Sequence, residues 1–194
     1  MRTARMFLIP ALVLGLASLM ACERKDDGGY GRSGSKDRTT TDTGRAATSD
    51  SSWLVKAAES NLAEIETGRL AEAKATSTDV KQFGKHMVED HTKANSELSA
   101  LAKKKGITVP TRPDEKHLKA AGDLADLGGA EFDRKYADMM VSDHEDAVSL
   151  FEKNGNSTDP DVKSFADKTL PTLKHHLEMA RDLKTKLNAA PKAD

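Results

Sequence analysis

From Asp50 onward, apolar residues recur every three to four positions, the spacing that lays them along one face of a helix. The pattern predicts a first helix from Ser52 to about Ala75, carrying Leu54, Val55, Ala58, Leu62, Ile65 and Ala73. A second opens at Ser77-Thr78-Asp79, good N-cap chemistry, and stops at Gly106 after Lys105. Its stripe is Val80, Phe83, Met87, Ala94, Leu98 and Leu101. Val109-Pro110 and Arg112-Pro113 break the pattern, and a short helical piece from Asp114 to Leu127 ends at Gly128-Gly129. A third long helix spans Ala130 to about Lys153. A fourth starts behind Asp159-Pro160 and runs on through Leu187.

Four helices of about 24 residues, each about 36 Å long, can bury one another's stripes. The first and last connections are short, so they predict antiparallel hairpins. The middle one, about Gly106 to Gly129, is long enough to travel the length of the bundle. The fold expected is therefore all-α: a ferritin-like four-helix bundle, with a long crossover holding a short helix between helices two and three.

The beginning of the chain reads differently. Arg2 and Arg5 precede an apolar run from Met6 to Met20, the right length for a signal-peptide core. It ends in Leu19-Met20-Ala21-Cys22, which resembles the bacterial lipobox, so residues 1–21 are expected to be cleaved and Cys22 acylated. Residues 22–50, rich in Gly, Ser and Thr, read as a disordered tether, and residues 51–190 as the folded domain. Glu23 stands where an Asp would signal inner-membrane retention. A periplasm-facing outer-membrane lipoprotein is expected, with the membrane as its partner through the anchor. Thirty basic against 31 acidic residues leave a net charge of −1, which supplies no field for nucleic acid. A single Cys excludes an intramolecular disulfide and any multi-Cys metal site.

Projected on helical wheels, His91 and His176 fall near the centres of their stripes, and His144 lies at the edge of its own. Asp143 sits nearer that centre, and Asp90 adjoins His91. On the first helix, Arg69 projects near the stripe centre and Glu66 inside its margin, whereas Glu64 projects outward. His86 and His175 point away, and His117 belongs to the crossover. Met87 precedes His91 by four residues and Met140 precedes His144 by four, so each pair shares a face. Two readings stay open. His91, His144, His176, Glu66, Met87 and Met140 can form a metal site for copper, zinc or iron. Alternatively the histidines, with Arg69, Asp90 and Asp143, make a structural polar layer, and no cofactor is required. No His has a Glu three residues before it, which disfavours a ferritin-type di-iron centre. Pro171 is expected to kink the fourth helix.

The two hairpins echo each other. Met87-Val88-Glu89-Asp90-His91-Thr92-Lys93-Ala94 parallels Met140-Val141-Ser142-Asp143-His144-Glu145-Asp146-Ala147. Together with Ala63 to Ala71, Val80-Lys81-Gln82-Phe83, Phe132 to Tyr136 and Leu170-Pro171-Thr172-Leu173-Lys174-His175-His176-Leu177, these segments resemble the bacterial domain of unknown function 4142. The likeness covers about residues 52 to 187. It implies a ferritin-like bundle in a secreted or lipid-anchored envelope protein, and it implies no particular activity. Neither a phosphate-binding glycine loop nor a Gly-x-Ser-x-Gly elbow is present. The expectation is a non-enzymatic interaction or stress-protection module, with a metal carrier or sensor as the alternative.

Overall fold

The computed structural model describes residues 39–189, with side chains from Ser49 onward. Among the described residues are five helices and no strand: α1 (Thr39–Lys74), α2 (Thr78–Lys104), α3 (Glu115–Ala125), α4 (Gly129–Asn154) and α5 (Pro160–Ala189). None of them is long and apolar enough to cross a membrane. The expected signal peptide, the expected acylation at Cys22 and the expected tether as far as residue 38 lie outside the described residues.

One boundary needs correction. The expected tether ran to residue 50, yet α1 already begins at Thr39. No Pro interrupts this stretch, and a helix nucleated by packing further along propagates cheaply through Ala46 and Ala47. Asp50 then fixes the helix to the opposite hairpin, accepting from Ser157 Oγ at 2.9 and 3.0 Å. The other long helices fall within a residue or two of the expected ends. Pro171 lies inside α5 without ending it.

Helix α1 packs along α2 and α4 along α5, two antiparallel hairpins, while α1 also meets α4 and α2 meets α5. Because α1 opposes both α2 and α4 in direction, α2 and α4 run the same way on a diagonal. Such parallel neighbours cannot be joined by a short turn, hence the crossover. It leaves α2 through a Schellman turn, with Gly106 at φ 68° and Ile107 N–H donating to the Ala102 carbonyl at 2.9 Å. Ile107 and Val109 cover one end of the core, and Leu124 on α3 closes the other.

Both ends are tied by carboxylates. Ser77 occupies the N-cap position of α2 but makes no side-chain cap bond, contrary to its sequence chemistry. Buried Asp133 of α4 takes over, accepting from Thr76 N–H at 3.1 Å and Ser77 N–H at 2.9 Å. At the far end, Lys105 reaches Asp159 and Asp161, joining the C-terminus of α2 to the first turn of α5. Between these ties the core is two apolar clusters. One holds Trp53, Leu54, Leu98, Phe151 and Phe165; the other Phe83, Met87, Phe132, Tyr136 and Met140. A polar layer separates them.

Candidate metal centre

Four helices each contribute to that layer: Asn61 and Glu64 from α1, His91 from α2, His144 from α4 and His176 from α5. The three imidazoles stand in a triangle, with ring centroids 5.3 to 5.7 Å apart. One ring nitrogen of each lies within 4.8 Å of its counterparts on the other two. Glu64 reaches across from α1. Its Oε2 is 2.6 Å from His91 Nε2 and 3.3 Å from His144 Nε2. Side-chain exposure is 2% for Glu64, 4% for His91, 0% for His144 and 3% for His176.

The outward nitrogens are all engaged. His144 Nδ1 donates to the Met140 carbonyl at 2.9 Å, and His176 Nε2 donates to Asp90 Oδ2 at 2.9 Å. A carbonyl and a carboxylate only accept, so the proton sits on those outward atoms and each ring turns a lone pair inward. His91 Nδ1 meets Asn61 Oδ1 at 2.9 Å, which sets the same tautomer there. The inward atoms, His91 Nε2, His144 Nε2, His176 Nδ1 and both Glu64 oxygens, have no hydrogen-bond partner. Although Glu64 Oε2 is at ion-pair distance from His91, the two are not aligned as a hydrogen bond.

Burial would push the Glu64 carboxyl up, but the charges of His144 and His91 outweigh it and bring it down to about 2. Burial likewise opposes charge on His91, yet the Glu64 carboxylate beside it raises His91 above the ordinary imidazole value. His176 goes the other way: burial, and then repulsion from His91, lower it to about 4 despite Asp90. Glu64 is thus held as the carboxylate at neutral pH, and His176 as the neutral ring. Burial, reinforced by the Glu64 charge, lifts Asp143 to about 6 and Tyr136 well above the usual phenol value.

His91 and His176 converge as their wheel positions suggested, and His144, which projected to the edge of its stripe, joins them fully buried. Glu66 does not join them: it is exposed, and so is Arg69. The carboxylate of the site is Glu64, which the wheel had placed outside. The seam of α1 runs through Leu54, Ala57, Asn61, Glu64, Gly68 and Ala71, mostly small or polar positions that carry little hydropathy. Bulky Val55, Leu62 and Ile65 therefore drew the apparent stripe to one side. A signal was present in Gly68: a mid-helix glycine marks close approach, and Glu64 sits one turn before it on the same face. A Cβ on Gly68 would meet the Gly84 carbonyl oxygen at 2.8 Å. Met87 and Met140 are buried in the neighbouring apolar cluster, where Met140 serves the layer through its carbonyl. Asp90 is half exposed at its rim, and Asp143 is half-buried. His86 and His175 are exposed, and His117 bonds to Asp114 at the start of α3.

Residues 35–183 match the family model described as domain of unknown function (DUF4142). The chain belongs to this family. No functionally curated protein matches it. Among solved structures, a DUF305 fragment from Deinococcus radiodurans is similar, with a TM-score of 0.63 at 11% identity, covering 73% of this chain and 97% of that one. At that identity the likeness concerns the fold, and it agrees with the all-α bundle found in this DUF4142 chain.

Proposed function

We propose that this protein binds one divalent transition-metal ion, zinc first among them, between His91, His144, His176 and Glu64. The observation that carries the reading is a triangle of buried imidazoles whose inward nitrogens lack hydrogen-bond partners, one ring nitrogen of each within 4.8 Å of the other two, with the Glu64 carboxylate against two of them. Each such atom costs about 1–3 kcal/mol when left bare, and native interiors hold few of them. A cation satisfies all of them at once. Three imidazoles and a carboxylate are a hard-to-borderline set that suits zinc, and outward N–H groups held by a carboxylate, a carbonyl and an amide are the usual support for metal-bound histidine. Nitrogens in a tetrahedral zinc site stand about 3.3 Å apart, so a modest contraction from the present spacing completes the cage. The thioether set for Cu(I) has less support, because Met87 and Met140 pack in the apolar cluster. Exclusion of water on all sides favours holding an ion over turning over a substrate. A general interaction or stress-protection role would put no demand on these inward atoms.

Untagged protein, stripped and then dialysed against zinc, is expected to retain one equivalent by plasma mass spectrometry. It should also gain about 4 kcal/mol in stability at a thousandfold excess over the dissociation constant. His144→Ala should lose both effects. Retention below a tenth of an equivalent for zinc, copper, iron and cobalt alike, with no thermal shift, would refute the reading.

The envelope address belongs to the same proposal, resting on Leu19-Met20-Ala21-Cys22. Acyl chains on Cys22 would hold the protein at the membrane durably, since several chains together bind where one is marginal. Cys22→Ser is expected to leave the membrane fraction for the soluble one. A variant that still pellets and resists a high-salt wash would remove the anchor from the account.

A further inference from the structure

A sealed ion needs a way in, and the walls of the layer are unequal. The α1–α2 side is closed by Gly68 and Gly84, whose backbones touch without room for a single Cβ. On the α2–α5 side, a groove of about 120 Å³ opens between Asp90, Ala94 and Glu97 on one helix and Lys168, Thr169 and Thr172 on the other. Asp90 lines this groove with its side chain 48% exposed, and the same carboxylate holds His176 Nε2 at 2.9 Å. It is the one group that touches both solvent and the histidine triangle among the contacts described above. Glu97 is occupied by Lys168 at 2.7 Å, which leaves Asp90 as the carboxylate facing the layer. The groove's far wall is also the weak turn of α5. Pro171, between Thr169 and Thr172, has no N–H for the Asp167 carbonyl, so that turn opens without breaking the bond a helix normally has there. The larger groove of about 230 Å³ between Asp79 and Lys186 is lined by none of the layer's residues.

We propose that the metal ion loads through the Asp90 groove, with Asp90 as its first ligand and the His176 ring as the gate. The inference rests on the metal-binding reading above. A cation arriving at Asp90 competes with the His176 N–H for the carboxylate. The ring loses its only anchor in the layer and turns, so that the ion passes to the inward nitrogens and Glu64. Asp90 here is a capture and positioning residue; the four interior groups hold the ion. The design implies an exchangeable ion, taken up and given back by the folded protein, rather than one trapped during folding.

The test is cobalt(II) uptake by the full chain, followed by its visible absorption, with release into excess chelator as the reverse measurement. Ala94→Trp and Thr172→Trp fill the groove from opposite walls while leaving Asp90 and the four interior groups in the chain. Both are expected to slow uptake and release by about tenfold or more while leaving the final stoichiometry at one. Gln82→Trp, in the other groove, should leave the rates alone. Lys93 also lines the loading groove. Lys93→Glu should speed uptake by about tenfold at low salt, an advantage that fades as salt screens it. Unchanged rates in both tryptophan variants, with cobalt still binding, overturn the route and spare the site. Absence of cobalt and zinc uptake in the unaltered protein overturns the site, and the route with it.

Discussion

Glu64→Ala is expected to destabilise the metal-free domain by about 2–4 kcal/mol at neutral pH, whereas Glu66→Ala, two residues on, should stay within about 0.5 kcal/mol. The difference is one of burial. Glu64 is 2% exposed and faces two imidazoles, while the Glu66 side chain is out in solvent. Truncating Glu64 leaves a cavity in the middle of the bundle and removes the carboxylate that faces His91 and His144. His91 can escape the loss by binding a proton less tightly, which keeps the cost below that of an obligatory buried pair. That escape has its own signature. The His91 imidazole, held above its ordinary value by Glu64, should titrate below it in the variant, readable by NMR. Equal denaturation midpoints for the two variants would mean that Glu64 is not part of a buried network.

A comparable loss is expected from Gly84→Leu, for steric reasons alone. The first added atom would meet Ala71 Cβ and the Gly68 carbonyl oxygen, both at 2.8 Å, before any of the rest of the side chain is placed. Helix backbones cannot yield locally, so α1 and α2 must separate along their length, at a cost of about 3 kcal/mol. Exposed Gly122 in α3 provides the contrast, having nothing within 4 Å of its Cβ position. There Gly122→Ala should add up to about 1 kcal/mol through helix propensity. Urea denaturation followed by circular dichroism separates the two, and a Gly84→Leu protein as stable as the original would refute the close crossing.

The architecture was legible because long helices advertise themselves: the 3.6-residue period, Gly106, Asp159-Pro160 and the one long gap specify element order and wiring together. Two corners of the histidine triangle were legible too, since the stripes of α2 and α5 are built from large apolar residues whose centres a wheel locates well; on α4 the wheel ranked half-buried Asp143 above His144, which is fully buried. On α1 that method failed. Its buried seam is Ala, Gly, Asn and Glu, chosen for closeness rather than hydropathy, so Glu64 and Glu66 were exchanged. Asp133 was illegible for another reason: nothing local marks a residue on α4 as the cap of a turn 56 positions away. The start of α1 at Thr39 was hidden because composition reports average polarity and says little about a helix extended from a packed neighbour.

The polar layer also decides how the helices may slide. Long apolar seams tolerate displacement by a turn, since one Leu or Ala replaces another at little expense. A slip of α1 by one turn would carry Glu64 away from His91 and His144 and toward the apolar cluster that holds Met87 and Met140. Only one vertical alignment of the four helices keeps Asn61, Glu64, His91, His144 and His176 level. The layer thus works as an index mark between the two halves of the core, favouring one register of the bundle over its neighbours.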